Sequence, residues 1–251
     1  MEKQGQVALV TGAAGGFGQA IVKKLLERGY VVHGLDYHRE HLKSLQQSCS
    51  TYARELHVHV VNLELLDEVE IALQAVFEIS SYVNILVNCA GVCTGTSIWE
   101  MSQDEWDKTY AINVRAPFFL SQLVSKQMIS LEVEPRRIIN ISSLVSFTGG
   151  ILSSAAYSSS KAALSNTTKN FAKALACHNI TVNEVSPGTA DTEMARNFIG
   201  NRLEGFKERI PLGRLCTPED VANAVMYFTS DEASYVTGQV IHVDGGMYCS
   251  G

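Results

Sequence analysis

The chain has 251 residues, 46% of them hydrophobic and 18% charged, with 20 Lys and Arg against 26 Asp and Glu for a formal net charge of −6. That apolar content suffices for a sizeable core and excludes wholesale disorder, while the mixed, slightly acidic charge excludes a general nucleic-acid binder with its basic face. No stretch approaches the ~18 apolar residues of a membrane helix, and Met1-Glu2-Lys3-Gln4-Gly5-Gln6 lacks a signal-peptide pattern, so the expectation is a soluble, cytoplasmic protein with no membrane partner. In chain order, Val7-Ala8-Leu9-Val10 is a short apolar strand that runs into a Gly-rich turn and a helix over Phe17–Arg28. Strands follow at Val31–Leu35 and Val58–Val61, then a helix over Glu68–Ile79 and a strand at Ile85–Val87. The pattern continues with a helix over Glu105–Leu131, a strand at Arg137–Ile141, a helix over Tyr157–Ala176 and a strand at Thr181–Val185. A helix over Glu219–Thr229 and a strand at Val240–Val243 complete it. The strands are short, rich in Val and Ile, and mostly not alternating, as expected of a parallel sheet covered by helices on both faces. Ser102-Gln103-Asp104-Glu105 and Thr217-Pro218-Glu219-Asp220 carry helix-start signals. The alternation predicts an α/β fold: one doubly wound domain over residues 1–251, with about seven mainly parallel strands.

The six cysteines, Cys49, Cys89, Cys93, Cys177, Cys216 and Cys249, are scattered, which reads as free thiols rather than a disulfide framework. Only Cys89 and Cys93 lie close together, and no second Cys/His pair stands at metal spacing, so no metal is expected.

Thr11-Gly12-Ala13-Ala14-Gly15-Gly16-Phe17-Gly18 joins the first strand to the first helix. Glycines there let the backbone turn tightly and approach a pyrophosphate, while the helix N-terminus offers free N–H groups and its positive dipole end. This context points to a dinucleotide, although the first two glycines are separated by three residues rather than one. Asp36 closes the second strand, where its carboxylate can accept hydrogen bonds from ribose hydroxyls and repel a 2′-phosphate. NAD(H) is therefore preferred; His38 and Arg39 follow directly, so NADP(H) stays open.

Tyr157-Ser158-Ser159-Ser160-Lys161 places a phenol and an ammonium on one helical face, one turn apart. The ammonium is expected to lower the phenol pKa from its free value of ~10 and so fit it for proton transfer to a carbinol oxygen.

With these features, Asn88-Cys89-Ala90-Gly91, Asn113, the Ser142/Ser143 pair, Ser186-Pro187-Gly188 and Val243-Asp244-Gly245-Gly246 follow in order. The chain resembles the short-chain dehydrogenase/reductase family, with the match running from Val7 to Gly246. The resemblance implies a Rossmann-type fold. It implies Tyr157 as general acid/base, Lys161 as its tuning partner and ribose ligand, Ser143 as the group that polarises the substrate oxygen, and Asn113 as support for a proton-relaying water chain. Ser142 is the minor alternative to Ser143, which precedes Tyr157 by fourteen residues where the family usually shows thirteen; one extra residue is read into the loop 145–156. The implied cofactor contacts are Gly12, Gly15, Gly16, Phe17, Gly18 and Asp36, then Asn62 and Leu63 after the third strand, Asn88, Ala90 and Gly91, and finally Pro187, Gly188, Ala190 and Thr192, together with Tyr157 and Lys161. A homotetramer paired through the two longest helices is also implied.

The expected reaction is hydride transfer between NAD(P)(H) and a secondary alcohol or ketone. Residues 189–210, with Met194, Phe198, Ile199, Leu203 and Phe206, read as a substrate lid, and the loop 145–153 as the facing wall. That loop holds no Arg or Lys, which favours a neutral or thioester-bound carbonyl over a free acid. Two substrates classes fit: a 3-oxoacyl reductase or general ketoreductase, and a cyclic diol dehydrogenase similar to 2,3-dihydro-2,3-dihydroxybenzoate dehydrogenases. A dinucleotide-sensing regulator or a methyltransferase would share the glycine loop but would not need the Tyr157/Lys161 pair.

Overall fold

The computed structural model describes residues 5–131, 133–150, 154–193, 195–196 and 203–249. Its strands are β1 (Val7–Thr11), β2 (Val31–Asp36), β3 (Leu56–Val60), β4 (Ile85–Asn88), β5 (Arg136–Ile141), β6 (Ile180–Pro187) and β7 (Val240–Val243). Its helices are α1 (Gly16–Glu27), α2 (Arg39–Ser48), α3 (Leu66–Ser80), α4 (Gln103–Tyr110), α5 (Ala116–Leu131), α6 (Val145–Thr148), α7 (Ala155–Leu175), α8 (Leu203–Lys207) and α9 (Pro218–Thr229). The strands form one sheet in the order β3-β2-β1-β4-β5-β6-β7, and every pairing is parallel. The predicted doubly wound α/β fold is thus observed.

Alternation along each strand sends side chains to two separate cores. Ala8 and Val10 of β1 pack with Ile21 and Leu25 of α1 and with Val221, Val225 and Phe228 of α9. Val7 and Leu9 face the other way, toward Val69 and Val76 of α3 and Leu120, Val124 and Met128 of α5. Both faces are covered, which is why the central strands read as unbroken apolar runs. Chain direction through the sheet reverses between β1 and β4, and a crevice opens outside the carboxyl ends of strands at such a point.

Several expected elements differ in detail. The single helix expected over Glu105–Leu131 is α4 and α5 joined by a π-helical turn at Ala111–Arg115; the wider turn brings Asn113 into the interior, fully buried. At the start of α4, Ser102 Oγ accepts from Glu105 N–H at 3.2 Å, but the Glu105 carboxylate accepts from the Thr94 hydroxyl instead of closing a capping box. The box at Thr217 and Asp220 is complete. Helices α2, α6 and α8 were not expected; α6 occupies part of the presumed wall loop and α8 part of the presumed lid.

A polar cluster lies among these apolar layers. His33 of β2 is fully buried; one ring nitrogen meets His59 Nε2 at 3.0 Å and the other meets Ser80 Oγ at 2.7 Å. Its ring stacks on those of His57 and His59. Burial, reinforced by the charges of His59 and His57, pulls the His33 pKa down to about 3. His33 therefore folds neutral, whereas in the unfolded chain it takes up a proton below about 6.5. Its contribution to stability is complete above that pH and is lost as the pH falls toward 3. In denaturant unfolding, wild type is expected to lose about 1 kcal/mol more per pH unit between roughly pH 6 and 4 than His33→Asn does. Parallel slopes for the two proteins would refute this.

Candidate active site

The glycine loop is shaped by what it leaves out. Gly12 adopts φ +63°, and a Cβ there would lie 2.7 Å from Ala90 Cα. A Cβ on Gly18 would lie 1.9 Å from the Gly12 carbonyl oxygen. The loop thus folds onto the start of α1 and against Ala90 at the end of β4. Gly15, the N-cap of α1, provides no side-chain cap, and the first turn carries no acid. The first N–H groups of α1, at Gly16, Phe17 and Gly18, remain for an anion, so these residues fit a dinucleotide pyrophosphate.

Asp36 pins the loop to β2: Oδ2 accepts from Ala14 N–H and Oδ1 from His38 N–H, both at 3.0 Å. Each carboxylate oxygen keeps a further lone pair for a ribose hydroxyl. Thr11 does comparable work on the other side, its Oγ1 accepting from Cys89 N–H and Ala90 N–H at 3.1 Å each. A Cβ on Gly16 would lie 3.3 Å from Thr192 Cγ2, so Thr192 leans over the loop from the segment after β6. Gly188 has no room for a side chain either, because its Cβ would lie 2.8 Å from Asp244 Cα. Pro187, buried, ends β6 beside it, and Ala190 forms a bridge with Cys216.

Other expected cofactor contacts are placed differently. The Asn88 side chain does not reach the crevice: its Nδ2 donates to Asn140 Oδ1 at 2.8 Å and Ser121 Oγ at 3.1 Å, joining β4 to β5 and α5. The Leu63 side chain is buried in the core beneath the sheet, because the turn after β3 points it inward. Asn62 spends its Oδ1 on the Glu64 N–H at 3.0 Å, a local turn that leaves its Nδ2 for a ligand. Met194, Phe198 and Ile199, three of the five apolar residues of the expected lid, lie outside the described residues, as do residues 151–153 of the loop with the inferred insertion.

From Ala90 the chain passes to Gly91, where a Cβ would lie 3.1 Å from Lys161 Nζ and 3.4 Å from Asn113 Oδ1. This close approach connects the glycine loop to α7. Ser154 caps α7 by accepting the N–H of Tyr157 itself at 3.2 Å, which fixes the backbone bearing the phenol. Lys161 Nζ lies 6.0 Å from the Tyr157 ring centre and donates to Ile141 O at 2.8 Å. The Ser143 hydroxyl lies near enough to the Tyr157 phenol to favour its ionised form. Ser142 is turned the other way, donating to Glu184 Oε1 in the interior. Asn113 clamps the strand extension: Nδ2 donates to Val92 O and Ser160 Oγ at 3.0 Å each, and Oδ1 accepts from Val92 N–H at 2.9 Å. One Oδ1 lone pair remains for a water.

The electrostatics correct one expectation. Burial pushes the Tyr157 pKa above its ordinary value, the nearby Cys93 adds to the rise, and the Ser143 hydroxyl opposes it. Lys161 does not overcome that rise: its ammonium bonds Ile141 O rather than the phenol and is itself pulled down to about 8 by burial. The site therefore holds a protonated phenol, a hydroxyl near it and an ammonium behind it, at one end of a crevice whose other end fits an anion. Thr11, Ser154 and Cys93 were not singled out as site residues from the sequence; Thr11 stood within the glycine motif and Cys93 was noted only for its closeness to Cys89, while nothing in the sequence distinguished Ser154.

Among the described residues, no group of three His, Cys, Asp or Glu is arranged to hold a metal, and no helix is long and apolar enough to cross a membrane.

A family model described as enoyl-(acyl carrier protein) reductase matches residues 12–248. The chain is 37% identical over 246 residues to the 3-oxoacyl-[acyl-carrier-protein] reductase FabG of Aquifex aeolicus, covering 98% of each chain. It is 35% identical to the enzyme of the same name from Thermotoga maritima, over 98% of this chain and 99% of that one. Among solved structures, a putative NAD(P)-dependent gluconate 5-dehydrogenase from Beutenbergia cavernae, with NADP bound at low occupancy, superposes with a TM-score of 0.91 at 30% identity over 98% of both chains. The glycine loop, the parallel seven-stranded order and the Tyr157/Lys161 face agree with these likenesses, and the chain belongs to the short-chain dehydrogenase/reductase family.

Proposed function

We propose that the protein is an NAD(P)H-dependent ketoreductase whose substrate is a 3-oxoacyl thioester, the class named for the FabG relatives. The observation that carries the reading is the convergence of Ser143, Tyr157 and Lys161 next to Gly91. Gly12, Gly15, Gly16, Phe17, Gly18 and Asp36 would hold the dinucleotide, with Ala90, Gly91, Pro187, Gly188 and Thr192 along its path. When bound, the dinucleotide supplies a hydride to the carbonyl carbon. Tyr157 gives its phenolic proton to the carbonyl oxygen, completing a secondary alcohol. Burial keeps that phenol protonated, the state that reduction requires. Ser143 shares the substrate oxygen, and the Lys161 ammonium stabilises the phenolate left behind until solvent reprotonates it. Residues 189–210 act as the substrate lid of a single domain. The partly exposed edge-to-face pair of Phe118 and Phe171 supports pairing of α5 and α7 with a second copy in a homotetramer; a solution mass of only 27.4 kDa would exclude that.

NADH is favoured over NADPH because the Asp36 carboxylate stands at the ribose end of the loop and would repel a 2′-phosphate. The test is a panel of 3-oxoacyl thioesters, cyclic ketones, sugars and cyclic diols assayed with both dinucleotides. Thioester reduction, fastest with NADH, is the expected result, and Asp36→Ala is expected to shift the NADH/NADPH ratio of kcat/KM by about tenfold or more toward NADPH. Oxidation of a cyclic diol without thioester reduction would replace this substrate assignment, and turnover of nothing on the panel would favour a dinucleotide-sensing role.

A further inference from the structure

Behind the catalytic side chains lies a carboxylate that the chemistry above does not use. Glu184 occupies β6, a strand buried along its whole length, and is itself 2% exposed. A carboxylate in such a place is tolerated only where hydrogen bonds and opposite charge hold it. Its Oε1 accepts from Ser165 Oγ at 2.7 Å and also from Ser142 Oγ. Ser142 immediately precedes Ser143. Ser165 lies one turn beyond Lys161, and its hydroxyl is also 3.1 Å from the Lys161 carbonyl oxygen. One carboxylate oxygen thereby ties the end of β5, which leads into Ser143, to the helix that bears Tyr157 and Lys161. Lys161 Nζ closes the loop of contacts through Ile141 O, one residue before Ser142.

We infer that Glu184 is a positioning residue: its carboxylate locks the end of β5, which leads into Ser143, against α7, and places a buried negative charge at Ser165, one helical turn from Lys161. This rests on the reading of Ser143, Tyr157 and Lys161 as the reacting groups. Glu184 is faced by Ser142 from β5, by Ser165 and Lys169 from α7, and by His242 from β7, with Lys161 one turn before Ser165 on α7. The His242 ring nitrogens are buried without a partner among the described residues, and the ring packs against Phe147 and Tyr248. Lys161 is faced by Tyr157 on its own helix and by Cys89 and Cys93 beyond β4. Burial pulls Lys161 down to about 8, and Glu184 opposes that fall. The two thiols are pushed up to about 12, so they are uncharged where Lys161 titrates, and Glu184 is the other group that opposes the fall. Burial raises the Glu184 pKa above its ordinary value, opposed by the hydrogen bonds from Ser142 and Ser165 and by the charges of His242 and Lys169. With that charge gone, Lys161 releases its proton at lower pH and the phenolate of Tyr157 loses its partner.

Glu184→Gln separates charge from packing, because the amide oxygen still accepts from Ser142 and Ser165. Nitrogen NMR of isotope-labelled lysines, with the Lys161 signal assigned by its loss in Lys161→Met, reads the Lys161 midpoint in the full-length protein. The kcat–pH profile for 3-oxoacyl thioester reduction is measured alongside. In Glu184→Gln the Lys161 midpoint is expected to fall by about half a pH unit or more, and the basic limb of the kcat profile to move down with it. A merely structural glutamate would scale kcat without moving either. Glu184→Ala also removes the acceptor and is expected to lower kcat by a further factor of about ten at every pH; if it does not fold, the Gln variant carries the test. Unchanged midpoint and profile in Glu184→Gln overturn the inference. A shifted midpoint with an unshifted profile upholds the pairing of Glu184 with Lys161 and instead refutes the catalytic role given to Lys161.

Discussion

Tyr157→Phe is expected to lower kcat for carbonyl reduction by about 10²- to 10⁴-fold, the range a positioned general acid supplies, while leaving dinucleotide affinity and thermal stability unchanged. Only the hydroxyl is removed. The ring keeps its place over the Lys161 side chain, and the cap at Ser154 uses the backbone N–H of residue 157, which survives. Lys161 keeps its hydrogen bond to Ile141 O, so the part of the crevice that meets the ribose is undisturbed. Ser143 remains able to bond a substrate oxygen, which leaves residual binding and no proton donor. Lys161→Met should behave differently, weakening dinucleotide binding as well as turnover. Stopped-flow reduction and fluorescence titration with NADH separate the two variants. A Tyr157→Phe enzyme retaining more than about a tenth of the wild-type rate would remove Tyr157 from the mechanism.

How far the sequence reveals this protein depends on the kind of signal each part carries. The strands were legible because burial on both faces leaves runs such as Val7–Val10 and Ile85–Val87 without polar interruption. Helix α2 was not legible, since only Leu42 and Leu45 of its ten residues are buried. The start of β3 was obscured by His57, whose place is set by stacking on His33 rather than by apolar burial. Local spacing could bring Tyr157 and Lys161 together, because one helical turn does that. It could not show that the phenol is held protonated, because that follows from burial contributed by segments distant in the chain, including the one bearing Cys93. Nor could it show that Asn88 serves the sheet, since its partners Ser121 and Asn140 meet it only through the order β1-β4-β5. Glu184 passed unnoticed inside an apparent strand for the same reason: its serine partners come from β5 and α7.

The glycine loop gives a steric result that can be discriminated position by position. Gly18→Ala places a methyl 1.9 Å from the Gly12 carbonyl oxygen and 2.8 Å from Ala13 Cα, both backbone atoms that no rotamer change can move aside. The loop must shift as a unit, and Gly12 resists because it is pressed against Ala90 on its other side. Overpacking of this kind costs roughly 1–3 kcal/mol, and the displaced N–H groups no longer converge on one anion. The Kd for NADH is therefore expected to rise about ten- to a hundredfold, with a fall of several degrees in Tm. Gly15→Ala is the control within the same loop: its φ is −76°, a conformation open to alanine, and its Cβ would lie 3.3 Å from the Gly12 oxygen, a contact that a few tenths of an ångström relieve. It should bind NADH within about threefold of wild type. Titrations that rank the two variants equally would mean that the dinucleotide does not depend on the cradle formed by Gly12, Gly18 and the N-terminus of α1. The thermal midpoints distinguish that outcome from simple unfolding, because a folded Gly18→Ala protein with wild-type affinity leaves the steric argument no other explanation.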